Sequence, residues 1–96
     1  MAEFRLTPRA EQDIRDIWRT IASESEKAAD ALVLRLFAKF HIVATQPKMG
    51  RAVPEVGQDV RILIEGRYLI LYEPAGDDLL IVAVVHGMRN PDEWLS

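Results

Sequence analysis

Asp59–Trp94 reads DVRILIEGRYLILYEPAGDDLLIVAVVHGMRNPDEW, and the fold turns on it. Three apolar runs are separated by two turn signals. In the first run Val60, Ile62 and Ile64 alternate with Arg61, Leu63 and Glu65, the period of a strand with one apolar face. Glu65-Gly66 is a turn signal. Tyr68–Tyr72 (YLILY) is apolar on both faces, as for an interior strand covered on one side by a layer and on the other partly by a partner or tail. Pro74–Asp78 (PAGDD) is a second turn, and Leu79–Val85 (LLIVAVV) a second interior strand. Connections this short allow antiparallel pairing alone, because a parallel crossover needs a dozen residues or more.

The residues before this stretch supply the layer that covers the sheet. Glu3–Thr7 (EFRLT) alternates and suits a short edge strand; Thr7-Pro8 then starts a helix, with Thr7 as N-cap and Pro8 at the first helical position. Ala10, Ile14, Ile17, Trp18 and Ile21 fall on one face of a helix over Pro8–Ala22, with Glu11, Asp13, Arg15, Asp16 and Arg19 opposite. Ser23 with Glu26 matches a capping box for a second helix running to about Thr45. Its wide apolar stripe is Ala29, Leu32, Val33, Leu36, Phe37, Phe40, Val43 and Ala44. Two helices joined so closely pair as an antiparallel hairpin. Gln46–Gln58, with two prolines and two glycines, reads as a loop. The expected fold is α+β: one domain over residues 1–96, two layers in the order β-α-α-β-β-β, the helical hairpin on one face of a mainly antiparallel sheet.

Composition narrows the function classes. Half the 96 residues are apolar, an ordinary globular balance, and the absence of cysteine removes disulfides, thiol nucleophiles and thiolate metal sites. No apolar run nears the roughly 20 residues that span a bilayer, and no leader pattern opens the sequence, so a cytoplasmic protein without membrane contact is expected. The net charge is −3, with eight Lys/Arg and seven Asp/Glu in residues 1–50 against four and eight in residues 51–96. A chain whose second half is acidic is a poor generic binder of nucleic acid, where phosphate contacts dominate affinity.

Signatures of catalysis are absent: no phosphate-cradling glycine loop, no HExxH and no GxSxG. No metal or cofactor is expected. Candidate functional residues are those a sheet rim would gather. Arg67 opens one strand and His86 ends its neighbour, so the two share an end of the sheet. Arg61 starts its strand on the face opposite Val60, Ile62 and Ile64. If the helices cover that apolar face, the guanidinium points to the open one, where it suits phosphate or carboxylate recognition, or pairs with Glu73 or Asp59. Trp18 reads as a packing residue or a partner anchor, Arg51 as a solvated loop arginine or one that reaches toward a site, and His41 as structural.

Three passages, in this element order, resemble the ParE/RelE superfamily of toxin–antitoxin toxins, specifically its ParE branch. They are Leu6-Thr7-Pro8-Arg9-Ala10 followed by Asp13-Ile14, Pro47-Lys48-Met49-Gly50-Arg51 leading to Val60-Arg61, and Tyr68–Glu73 closing on Val85-His86-Gly87-Met88-Arg89-Asn90-Pro91. The resemblance covers nearly the whole chain. It implies a toxin that inhibits DNA gyrase without catalysis, and a ParD-like antitoxin of ribbon-helix-helix type that binds DNA and wraps the toxin with its C-terminal segment. An amphipathic helix and a strand of that antitoxin are expected on the hairpin's outer groove and the sheet's exposed edge, with Trp18 and Arg51 as contacts. Arg61, Arg67, His86, Arg89 and Trp94 are the expected target-binding residues. RelE-like relatives instead cut mRNA on the ribosome, which is the alternative. Arg61 and Arg89 match functional arginines of those nucleases. Their phenolic acid–base position falls here around Trp94-Leu95, neither of which exchanges a proton at neutral pH, and Glu55–Asp59 lacks the expected lysine pair.

Overall fold

The computed structural model describes residues 3–87. Two helices, α1 (Pro8–Ala22) and α2 (Glu26–Thr45), pack on one face of a five-stranded sheet. Its strands are β1 (Phe4–Leu6), β2 (Arg51–Ala52), β3 (Arg61–Glu65), β4 (Tyr68–Ala75) and β5 (Asp78–His86), in spatial order β1-β5-β4-β3-β2. β1 lies parallel to β5, while the other three pairings are antiparallel. The α+β class and two-layer build are as expected. The added strand is β2: two residues of the expected loop pair with β3, Arg51 opposite Ile62 and Ala52 opposite Arg61.

Thr7 caps α1, its hydroxyl accepting from the Ala10 N–H at 3.0 Å. The same hydroxyl donates to the Val82 carbonyl at 2.7 Å, which ties the helix start to β5. Asp13 adds a second tie nearly two turns on, its carboxylate accepting from the Val84 N–H at 3.0 Å. The cap of α2 is Ser25, not Ser23. Ser25 is extended (φ −158°, ψ 107°) and accepts from the Ala28 N–H, whereas Ser23 keeps helical angles and closes α1. A cap must leave the helical region to aim its oxygen back at the first turn, and Ser23 has not left it.

Both hairpins turn over two residues with a glycine in the left-handed region, Gly66 (φ 59°) and Gly76 (φ 68°). The second turn is narrower than PAGDD suggests, since pairing continues to Ala75 opposite Asp78. Pro74 is tolerated in β4 because β3 pairs no further than Tyr72, so no neighbour on that side asks for an N–H. A bulge at Val82 lets Leu71 face Ala83 while Tyr72 faces Ile81, and it shifts the alternation of β5 so that Ile81 and Val84 both point to the helices.

The sheet therefore separates two apolar clusters. The larger lies under the helices: Ile14, Leu32, Leu36, Phe40 and Val43 against Ile70, Tyr72, Leu79, Ile81 and Val84, with Leu63 packed alongside. The smaller lies on the other face, where Val53, Val60, Ile62, Leu71, Ala83 and Val85 meet. Here the stretch after β2 folds back, Val53 and Val60 joined by a backbone bond of 3.0 Å, and roofs one end of the sheet with its own valines. Burying one such side chain contributes about 1.5–3 kcal/mol, so the segment is held by its apolar contacts despite its Gly and Pro content.

That roof reverses the expected facing of β3. Val60 and Ile62 lie on the face away from the helices, and Arg61, Leu63 and Glu65 lie beneath them. Glu65 confirms the orientation, its carboxylate 3.8 Å from Arg35 and 3.6 Å from Lys39, both on α2.

Candidate partner-binding site

One end of the sheet gathers two of the expected residues. Tyr68 pairs with His86 across β4 and β5, the rings 5.4 Å apart and nearly perpendicular, and the Gly87 N–H donates to the Arg67 carbonyl at 2.8 Å. The tight Gly66 turn holds Arg67 at this rim, where it is exposed. His86 stands between two concavities. Toward the helices, about 270 Å³ is enclosed by Arg9, Asp13, Asp16, Ile17, Thr20, Tyr68 and His86. On the other face, about 510 Å³ is lined by Ile64, Gly66, Arg67, Leu69, His86 and Gly87, mostly apolar. Ile64 is 63% exposed there, because the valine roof over Val60 and Ile62 stops short of it. An isoleucine left open beside an arginine on a rigid hairpin suits a protein surface. Arg89 and Trp94 lie outside the described residues.

Arg61 belongs to the opposite end. Four residues of strand, about 13 Å, separate it from Glu65. It does not point to the open face as expected, and no carboxylate of Glu73 or Asp59 pairs with it. Its guanidinium donates to the carbonyls of Gly50 (2.6 Å) and Lys48 (3.4 Å), holding the chain as it leaves α2. Beside it Tyr72, opposite Arg61 in register, donates its hydroxyl to the Pro47 carbonyl at 2.8 Å and accepts from the Gly50 N–H at 2.8 Å. Burial raises the Tyr72 pKa above its usual 10.0, outweighing the Gly50 N–H and the Arg61 charge, which lower it. Gly50 has no room for a side chain: a Cβ there falls 2.5 Å from the Tyr72 hydroxyl and 2.8 Å from the Ile62 carbonyl. This clamp was not anticipated, although Pro47, Gly50 and Arg61 all stand in the resembling passages.

Trp18 is half-buried between the helices. Its indole N–H donates to Asp30 of α2 at 2.8 Å, and with Ile14, Arg15, Arg19 and Val33 it lines a shallow apolar groove of about 260 Å³. Arg51 is exposed on the edge strand β2. His41 is exposed on α2, its ring edge-on to Phe4 at 4.8 Å, a structural contact. The candidates thus form three groups: Arg67 with His86, Arg61 with Arg51, and Trp18 in its groove. Among the described residues no cluster of three or more His, Asp or Glu is placed to hold a metal, and no helix is long and apolar enough to cross a membrane.

Comparison with known proteins adds the following. The family model described as the ParE toxin of the type II toxin–antitoxin system parDE matches residues 4–91. Among curated proteins there is no match. A solved chain from the chromosomal ParDE TA system of P. aeruginosa is similar in fold, with a TM-score of 0.76 over 90% of this chain and 96% of that one, at 17% identity. At that identity the likeness speaks for the fold.

Proposed function

The chain belongs to the ParE toxin family of type II toxin–antitoxin systems, and on that premise we propose that it inhibits DNA gyrase without catalysis and is neutralised by a ParD-like antitoxin. The observation that carries the choice of mechanism is the position of Arg61. An arginine acting on RNA from the sheet's open face must present its guanidinium there, and this one is turned under the helices onto two backbone carbonyls. What the open rim presents instead is Arg67 and His86 beside the exposed Ile64, a mixed polar and apolar surface suited to gripping a protein. Arg89 and Trp94, next along the chain from this rim, complete the proposed target-binding set, and Arg61 supports it from a distance by fixing the opposite end of the sheet. The antitoxin takes the groove at Trp18 and the edge at Arg51, and any DNA contact runs through the antitoxin. In this reading the protein acts in the cytoplasm.

The test is a supercoiling assay. Purified protein at micromolar concentration should block gyrase supercoiling, the antitoxin should relieve the block, and Arg67→Glu with His86→Ala should weaken it. Intact supercoiling at that concentration overturns the proposal. The rival reading, a ribosome-dependent ribonuclease, predicts new codon-linked mRNA 5′ ends after induction. His86, beside Tyr68 and across a cavity from Asp13 and Asp16, is the group that would serve it.

A further inference from the structure

Arg67 is exposed, and among the described residues no carboxylate lies within ion-pair distance of its guanidinium. The nearest carboxylate along the chain, Glu65, is turned under the helices and held by Arg35 and Lys39. The Gly66 turn places Arg67 outside that pairing. The Gly87 N–H then donates to the Arg67 carbonyl at 2.8 Å, which fixes the backbone of this residue to the end of β5. An arginine whose backbone is held in this way loses less freedom when its side chain meets an anion from another molecule.

Beside this arginine the open face of the sheet has an apolar hollow. Ile64 and Leu69, paired across β3 and β4, line it; Arg67 and His86 form its polar edge, and Gly66 and Gly87 leave bare backbone in its wall. His86 is backed by Tyr68, its ring edge-on at 5.4 Å. Two features keep the hollow open. β2 pairs with β3 no further than Ile62, so no described strand flanks Ile64 on its outer side. A Cβ at Gly66 would meet none of the described residues within 4 Å. The other residues on this face of β3, Val60 and Ile62, are 6% and 8% exposed, against 63% for Ile64. An apolar pair left open on a rigid hairpin, with a cation at its edge, has the make-up of an interface anchor site.

We infer that this hollow takes an apolar–acidic segment of gyrase: one large apolar side chain seated on Ile64 and Leu69, and an Asp or Glu close to it in sequence meeting Arg67. The inference rests on the proposed function and deepens it, since it names the chemistry that the rim recognises and the pair of residues that reads it. Apolar contact and charge together select the occupant. A nucleic-acid strand would run its phosphates from Arg67 over a half of the chain with four Lys/Arg and eight Asp/Glu, and would leave Ile64 and Leu69 without an apolar partner. A second copy of this chain, related by a two-fold axis through the hollow, would set Arg67 against its own copy. A single carboxylate beside an apolar side chain meets both halves of the site, and the guanidinium fork holds it by charge-assisted bonds.

The experiment uses the full chain and intact gyrase, with binding followed by calorimetry beside the supercoiling assay. Ile64→Ser and Arg67→Glu should each weaken binding about tenfold or more, and thermal melting should show that both variants remain folded. A photoreactive aliphatic residue carrying a diazirine, placed at position 64, should cross-link on illumination to a gyrase segment with a large apolar residue within two positions of an Asp or Glu. Replacing that carboxylate by lysine should restore binding of Arg67→Glu, which a merely structural role for Arg67 does not predict. If gyrase is bound and inhibited by both variants as by wild type, the hollow is refuted while the toxin reading stands. If the wild-type chain does not bind gyrase at all, the toxin reading falls with it. A cross-link formed in the gyrase mixture to DNA, to a second copy or to residues 88–96 of the same chain also overturns the inference, by identifying another occupant.

Discussion

Replacing Tyr72 by phenylalanine removes one oxygen from the clamp that joins α2 to the sheet. The ring is 1% exposed and packed among Phe40, Leu79 and Ile81, and a phenylalanine ring in its place would keep those contacts, so the difference reports the hydroxyl. Wild type has two bonds there, to the exposed Pro47 carbonyl and from the buried Gly50 N–H, both 2.8 Å. Pro47 can exchange its lost partner for water. Gly50 cannot, and a buried N–H left without an acceptor costs about 1–3 kcal/mol. The expected loss is about 2 kcal/mol at pH 7, which for a domain of this size lowers Tm by roughly 10 °C. The pH dependence supplies an internal control. Burial raises the Tyr72 pKa above 10.0, so the folded state favours the protonated phenol. That contribution is fully present below pH 10.0 and disappears as pH rises through the higher folded-state value, so wild type loses stability there and the phenylalanine variant is spared the loss. Urea unfolding followed by circular dichroism at pH 7, 10 and 11 measures both effects. A loss under about 0.5 kcal/mol at pH 7, the size of an ordinary surface change, or a gap between the two proteins that fails to narrow above pH 10, would refute the account of the clamp.

Three further substitutions probe how the layers are joined. Thr7→Val removes the cap of α1 and the bond to Val82 together, at about 1–2 kcal/mol, and Thr7→Ser should recover most of it in thermal melts. Asp13→Ala leaves the Val84 N–H without its acceptor, so stability should fall by about 1–2 kcal/mol and hydrogen exchange at Val84 should speed up. Glu65→Gln should cost less than about 1 kcal/mol, and the loss should vanish in high salt, because Arg35 and Lys39 are 58% and 28% exposed and such pairs are screened.

The helices were legible because local chemistry specifies them: Thr7-Pro8 starts α1, and apolar residues recur at helical spacing through both. The hairpins were legible for the same reason, each turn carrying a glycine where positive φ is required. The facing of β3 was not. Its sequence is apolar on both sides apart from Arg61 and Glu65, and the choice is made by Val53 and Val56, which lie in a Pro- and Gly-rich segment that reads as loop and pack with Val60 on the face away from the helices. The spacing of three and four from Val53 through Val56 to Val60 was the available signal. The clamp of Pro47, Gly50, Arg61 and Tyr72 was invisible to periodicity, because it joins residues 22 and 25 positions apart through a hydroxyl and backbone groups. At the site, the placing of Arg67 and His86 at one end of the sheet followed from antiparallel geometry alone.

The parallel pairing of β1 with β5 has a consequence for how a cell makes this protein. Among the described strands β5 is the one synthesised last, yet it lies between β4 and β1, and α1 is tied to it through Thr7 and Asp13, 75 and 71 residues earlier in the chain. The helical hairpin thus leaves the ribosome with its apolar stripe uncovered. From Thr45 to His86 is 41 residues, and at typical translation rates of 5–20 residues per second they take roughly 2–8 s to add. Through those seconds the nascent hairpin lacks β5, the strand that α1 is tied to, and only the β3–β4 hairpin is there to cover part of its apolar stripe.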